Sequence, residues 1–541
     1  MIHICKKTLP LVLLAAYAGL SLGTMFQKSA TWDETHYLGL GHSLLKERDW
    51  ELPSATLHPP LSYYLHSLPL LLFKLDQSCF EKGRSSDILS GVRRGQCLMR
   101  SSTPSGDALL CLARAPMIGI GILLGWFVYL WASALYGTAG GFLSLFLYCL
   151  SPNILAHSGL ITPDLCLTAF GFMSVYFFWR NTRSPSVRDL VFGGLALGLT
   201  LLSKYAGLLW VPILALLAVV ESLRSKQCPE SRRDFLGAGP IIHLGVVVFL
   251  AFVVLFLGYQ LDLSAYFNGM EEQRRIVGEG FPAFLNGQVS RNGGWWYYYL
   301  FAFLIKVPIP SLVMIFAGLF AITSLTTSER ANVLWLITPV LVIVIAFSVL
   351  TQVNAGLRYV LPLFPFLIVL AGSTSLLLKK RKVLRGFLAF ALMFWYTGES
   401  LSIYPHYLAY FNQIVGGPKN GYRYLLDSNL DWGQDLKGLR KYMDKEGIPE
   451  IKLSYFGTSD PAWYGIRYEA LPSFVLPDRG SLCRELKKGD MVAVSATNLY
   501  PIYVELGPLG EYLRKEVPQE RVGYSILIYK MSRDVNVHIQ G

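Results

Sequence analysis

Charge is scarce in this chain: only 16% of its 541 residues are Asp, Glu, Lys or Arg, against about 25% in an ordinary soluble domain, while 53% are hydrophobic. With a mean hydropathy of +0.41, that shortage excludes a conventional water-soluble globule and makes the bilayer the natural solvent. Cysteine is sparse too. The eight residues are scattered, with no CxxC pair and no Cys/His cluster, which leaves no visible structural zinc site or dithiol redox motif. No internal repeat or low-complexity segment is present. A cleavage site is also missing: Met1 to Phe26 starts basic and runs apolar like a signal peptide, but no small-residue motif follows before Trp32 and Asp33. An uncleaved first span is therefore expected. Acidic residues are outnumbered 36 to 48, a net charge of +12, which cytoplasmic loops of a membrane protein account for without a nucleic-acid partner.

What is present is a series of apolar runs of about 20 residues, long enough for a hydrocarbon core of about 30 Å. They begin near Thr8, Leu112, Gly140, Pro163, Leu190, Ala206, Pro240, Tyr297, Val333, Leu357 and Leu384, and predict about eleven helices. Lys6 and Lys7, Arg180 with Arg183 and Arg188, Arg224 with Lys226, Arg232 and Arg233, and Lys379 to Lys382 with Arg385 all fall on one side, which marks the cytoplasm. Residues 27–111, the Ile161–Pro163 turn, 261–296, 351–356 and everything after about Tyr404 then lie outside. The first outer loop carries Arg84, Arg93, Arg94 and Arg100, but loops this long translocate largely regardless of charge. Residues 35–47 and 60–73 suggest helices lying in the interface. Cys79 and Cys97 share that loop, where an oxidising compartment could join them.

Beyond Tyr404 the pattern changes to an amphipathic helix over 433–446 and strands over 451–457, 490–496 and 524–530. The expected architecture is an all-α polytopic membrane domain, residues 1–404, followed by a small extracytoplasmic α/β domain, residues 405–541.

Several polar residues collect at the outer face. Asp33 and Glu34 follow the first span directly, beside Trp32, His36 and Tyr37. Acids at a membrane surface cost desolvation unless they have a partner or a task, although a pair like this could simply open a helix. Leu57-His58-Pro59-Pro60 and His157 to Asp164 belong to the same face, while Lys306 and Arg358 sit in apolar runs, where a cation is a site candidate unless it snorkels to the interface. The carboxylates with His36, His42, His58 and His157 are compatible with a divalent metal, but no spacing demands one. The aromatic run Trp295 to Tyr299, with Trp296 inside it, could cover a sugar or isoprenoid or serve as an interfacial belt. The Asx- and Gly-rich segment from Asp427 through Asp431 and Trp432 to Asp435 reads as turns and caps or as part of an acceptor site.

In the order WDETHYLGLGHSLLKERDW, HPPLSYYL, HSGLITPDLCLTAF, GLALGLTLLSKYAGLL, GGWWYYYLFAFLIKVPIP and RYVLPLFP, roughly residues 8–400 resemble the GT-C superfamily of membrane glycosyltransferases. Within it, the pattern is similar to the protein O-mannosyltransferase and bacterial aminoarabinose transferase groups, glycosyltransferase families 39 and 83. Each motif alone is weak, and the specificity lies in their order. The resemblance implies an inverting transfer from a polyprenyl- or dolichyl-phosphate sugar. It places Asp33 at the catalytic base, Glu34 as its companion and Asp164 as a second acid. Arg358 and Tyr359 match an Arg-Tyr pair near the carrier phosphate. His58 stands where some relatives have a Lys before Pro, exchanging a permanent cation for one charged only at lower pH. The phosphate ligand is therefore open among His58, Lys204, Lys306 and Arg358, with Trp295, Trp296 and Tyr299 as candidate substrate contacts.

Such a reaction needs a base for the acceptor hydroxyl and cations for the departing phosphate, and both are in this inventory. The expected enzyme is a membrane hexosyl- or pentosyltransferase, multi-pass in a bacterial inner membrane with a cytoplasmic N-terminus, acting on a protein, lipid or glycan hydroxyl. The rival is a transporter or flippase of lipid-linked sugars. Transporters usually show internal repeats and broken midplane helices, whereas these polar residues gather at one face.

Overall fold

The structure, a computed structural model of the chain, describes residues 2–47, 50, 52, 54–76, 78, 80, 89–101, 103–225, 239–377, 382–474 and 483–537. Among them, five helices are long and apolar enough to cross a membrane: Thr8–Gln27, Gly106–Tyr136, Tyr205–Arg224, Pro240–Gly258 and Glu329–Val349. The chain is thus an integral, multi-pass membrane protein. Two bent pairs raise the count to seven, where the apolar runs predict about eleven. The difference has local causes. Asp164–Arg183 carries charge at both ends, Val187–Ser203 has only 17 residues, and the run at Leu357 opens with a 3₁₀ turn, Leu357–Val360, which leaves a ten-residue helix, Leu363–Gly372.

Proline explains the bent pairs, because it removes an amide donor and disfavours helical geometry in the residue before it. Thr138–Cys149 meets Pro152–Ser158 at 59°, and Tyr298–Lys306 meets Ile309–Ala321 at 112° across Val307 and Pro308. The sharper break frees carbonyls that a distant side chain recovers. Asn412 Nδ2 donates to Leu304 O and Val307 O at 2.7 and 2.8 Å, and its backbone N–H donates to Ile305 O at 2.9 Å.

The segment after the first span folds into helices Trp32–Glu47, Leu61–Ser67 and Ser90–Ser101 around a core of Tyr37, Leu38, Leu40, Leu44 and Tyr63. Cys97 is disulfide-bonded, and Cys79, which shares its loop, lies outside the described residues, as do Lys379 to Arg381 and Arg232 with Arg233.

After the last long helix, Lys382–Ser402, the chain builds a five-stranded sheet in the order Tyr468–Ala470, Ile451–Ser454, Met491–Ser495, Ile526–Lys530, Glu520–Val522. The Ile451–Ser454 strand pairs parallel with both neighbours, and the remaining pairs are antiparallel. Strand alternation splits the sheet's residues between two faces. Ala493, Ile526 and Ile528 pack on Leu436, Leu439 and Met443 of the helix Leu436–Glu446, while Val492, Val494, Leu527 and Tyr529 merge with the main core. Backbone bonds tie this part to the end of the first span: Ser29 N–H to Gln434 O at 3.0 Å and Trp32 N–H to Trp432 O at 2.8 Å.

Candidate active site

The Asp33-Glu34 pair divides between two environments one residue apart. Thr31 and Glu34 are the N-cap and third residue of the Trp32–Glu47 helix, and Glu34 Oε2 accepts from the Thr31 N–H at 2.7 Å, one half of a capping box. Glu34 also accepts from Arg114 Nε and Nη2 at 2.7 and 2.5 Å and from the Ile161 N–H at 2.9 Å, all out of reach of solvent. Burial alone would raise this carboxyl, but Arg114 overrides it and holds it below the usual range. Arg114 escapes the motif comparison. Its signal is a lone arginine inside an apolar run.

Asp33 turns the other way and accepts from Arg358 Nη1 at 2.8 Å, with 19% of its side chain exposed against 12% for Arg358. The same guanidinium approaches Asp164 Oδ2 at 3.7 Å, and Lys204 Nζ donates to Asp164 Oδ1 at 2.9 Å. Asp164 is 1% exposed, so it can hold two cations but cannot be reached from outside. Tyr359 lies under both cations, its ring centre 4.2 Å from Lys204 Nζ and 5.3 Å from the Arg358 guanidinium. Trp432, which the sequence offers only as part of a turn-rich segment, covers Arg358 at 4.2 Å.

A helix start and a fixed loop position this group. Asp164 opens the helix Asp164–Arg183, while Arg358 projects from the 3₁₀ turn Leu357–Val360. Asn429 Oδ1 accepts from the Leu357 N–H at 2.9 Å, and its Nδ2 donates to Tyr298 Oη at 2.9 Å. The cationic end of the Asp164–Arg183 helix, where Arg180 pairs with Asp189, is about 30 Å away by helical rise.

The other candidates are placed differently. His58 stacks on Tyr37 with ring centres 5.8 Å apart; burial and then Lys204 push it well below its ordinary pKa, so it offers a neutral ring rather than a cation. Lys306 Nζ donates to Leu408 O at 2.9 Å and to Asn429 O and lies 4.4 Å from the Phe411 ring, so it faces the segment that carries Asn429. Tyr299 is buried and donates to Val353 O at 2.5 Å, with its ring 6.4 Å from Tyr359; Trp295 N–H donates to Asn354 Oδ1 at 2.7 Å, and Trp296 is 67% exposed. Among the described residues no group of three or more His, Cys, Asp or Glu could hold a metal ion.

Residues 109–259 match the family model described as dolichyl-phosphate-mannose-protein mannosyltransferase. The chain resembles the GT-C membrane glycosyltransferases. ArnT from Cupriavidus metallidurans bound to undecaprenyl phosphate is a solved structure similar to this chain at 14% identity, over 96% of this chain and 97% of that one, with a TM-score of 0.46. The Archaeoglobus fulgidus oligosaccharyltransferase aligns over 81% of this chain and 58% of its own length at 14% identity and a TM-score of 0.43. The S. cerevisiae protein O-mannosyltransferase Pmt1-Pmt2 complex bound to the sugar donor aligns over 54% and 41% at 18% identity and a TM-score of 0.36. No curated protein sequence matches the chain.

Proposed function

We propose that this chain is an inverting glycosyltransferase that moves a sugar from a polyprenyl- or dolichyl-phosphate carrier to an acceptor hydroxyl on protein, lipid or glycan. The observation that carries this reading is the Arg358 guanidinium held between Asp33 and Asp164, with Lys204 on the far oxygen of Asp164. Two cations on a buried counter-ion suit a lipid phosphate, and a partly exposed carboxylate beside them suits a base.

Asp33 is engaged by Arg358 Nη1 at 2.8 Å, which occupies the carboxylate oxygen an acceptor hydroxyl would need. A carrier phosphate competes for Arg358 through a two-point contact and frees the Asp33 carboxylate for the acceptor hydroxyl. Asp33 then takes the acceptor hydroxyl proton as the acceptor oxygen bonds to the anomeric carbon. The bond from that carbon to the phosphate oxygen breaks, and its electron pair leaves with the lipid phosphate onto Arg358 and Lys204. Asp164 positions both cations and does not itself move a proton. The site sits on the extracytoplasmic face of a bacterial inner membrane, with the N-terminus cytoplasmic, residues 1–404 as the membrane domain and 405–541 outside.

Mass spectrometry of glycans and lipids from cells with and without the protein tests this reading. A glycan that disappears while its sugar-charged carrier accumulates is the expected result. Accumulation of the carrier on the cytoplasmic leaflet, with intact glycans once it is moved across, would replace the transferase with a flippase.

A further inference from the structure

Asp427 has φ of +56°, in the left-handed region that a residue with a side chain enters at a cost. Its loop holds it there: Leu430 and Asp431 N–H donate to Asp427 O at 2.9 and 3.0 Å, Asp427 N–H donates to Thr497 Oγ1 at 3.2 Å, and Ser428 Oγ donates to Ala355 O at 2.8 Å. The backbone thus fixes where the carboxylate points. Its Oδ2 accepts from Tyr503 Oη at 2.6 Å and its Oδ1 from the Ser428 N–H, so each oxygen keeps a free lone pair. Asp427 makes no ion pair among the described residues, although it interacts electrostatically with Arg358 and Asp33. Aromatic rings back it. Tyr503 stacks on Phe456 at 5.4 Å and 7° and meets Phe474 at 5.5 Å, and Phe474 in turn meets Trp32, next to Asp33, at 6.1 Å. A carboxylate with free lone pairs for hydroxyl hydrogens, beside aromatic faces for C–H surfaces, is the chemistry that recognises a sugar ring.

We propose that Asp427 is a specificity-determining residue that accepts hydrogen bonds from hydroxyls of the sugar on the carrier, with Tyr503 as its positioning residue. This rests on the proposed transferase reading, because the sugar is what a phosphate held by Arg358 would bring alongside Asp427.

The test is binding of the full chain in nanodiscs to undecaprenyl phosphate and to undecaprenyl-phosphate-linked mannose and glucose. Asp427→Gly suits the positive φ and removes only the carboxylate. It should leave affinity for the bare carrier within about twofold and cut affinity for the preferred sugar-bearing carrier about tenfold, as a lost hydrogen bond to a charged group does. Tyr503→Phe should shift the same preference in the same direction by less. Equal weakening of all three ligands would make Asp427 structural, and a change confined to acceptor KM in turnover would assign it to the acceptor; either overturns the proposal. So does a wild-type chain that binds bare and sugar-bearing carriers alike. A wild type that binds no carrier at all would instead sink the transferase reading.

Discussion

Glu34 and Arg114 meet at 2.7 and 2.5 Å with neither side chain reached by solvent, while the adjacent Asp33 is partly exposed and pairs with Arg358. Removing one member leaves the other charge buried without compensation, which typically costs about 3–5 kcal/mol. Glu34→Gln should therefore lower the unfolding temperature in detergent far more than Asp33→Asn does. Equal melting temperatures for the two variants would show that the pair contributes little.

Asp33→Asn should do the reverse. It keeps the fold and carrier binding but loses the base, and turnover should fall by ~10² or more, as it does for positioned general bases. Carrier binding by this variant should hold or tighten, since Arg358 is released from its partner. Normal turnover on a lipid-linked donor would remove Asp33 from the mechanism.

Lys306 holds the backbone of the loop that in turn holds Arg358: it reaches Leu408 O and Asn429 O, and Asn429 secures Leu357. Lys306→Met leaves those carbonyls without a donor and should cost ~1–3 kcal/mol of stability. Affinity for bare polyprenyl phosphate should stay within about threefold. A tenfold loss of that affinity with an unchanged melting temperature would return Lys306 to the phosphate site.

The sequence makes parts of this arrangement legible and hides others for identifiable reasons. Apolar runs reveal membrane helices because length and composition decide that property locally. Some of those runs are interrupted by a proline or a 3₁₀ turn, as at Pro308 and Leu357–Val360, which no count of apolar residues reveals. Alternation and turn residues locate the strands at 451, 491 and 526, but not the edge strands Tyr468–Ala470 and Glu520–Val522, which are three residues each. Motif order singles out Asp33, Asp164, Lys204 and Arg358, which the fold brings together across a sequence separation of 325 between Asp33 and Arg358. It ranks Asp33 as base above Glu34 as companion, but only the fold shows that Glu34 is buried against the long-range partner Arg114. Nor does spacing reveal that Trp432 covers Arg358, because that contact depends on how the last third of the chain docks.

Arg358 offers a planar fork of donors where Lys would offer one mobile point charge. Arg358→Ala should weaken binding of a polyprenyl-phosphate donor by ~1.5–3 kcal/mol, the range of a charge-assisted contact, and Arg358→Lys should recover only part of it. Identical affinities for all three forms would leave Arg358 a structural partner of Asp33 and pass the phosphate to Lys204.

The last prediction concerns two carboxyls of the docking loop that shift in opposite directions. Burial pushes Asp431 up from 3.8 to about 7, against the Thr497 N–H that donates to it at 2.9 Å. Burial would raise Asp435 as well, but Lys28 at 2.5 Å and His406 at 3.7 Å override it and hold it at about 2. A carboxyl raised in the folded state adds stability that is full below its unfolded value and is lost as pH rises through the folded one. Asp431 should therefore withdraw stability between pH 3.8 and about 7, on the order of 2–4 kcal/mol. Asp435 has the opposite sign: its contribution is present above 3.8 and falls away only toward pH 2, so it is constant across that window. Histidines held low by burial, such as His36 at about 4, add a slope of the opposite sign there. The difference between wild type and Asp431→Asn cancels it. Thermal melts from pH 4 to 8 should show Asp431→Asn less stable than or equal to wild type at pH 4 and gaining on it steadily up to pH 7, with no further change above. A difference that stays flat across that range would show that Asp431 is already ionised in the folded protein, held by the Thr497 and Gly433 N–H groups that donate to it.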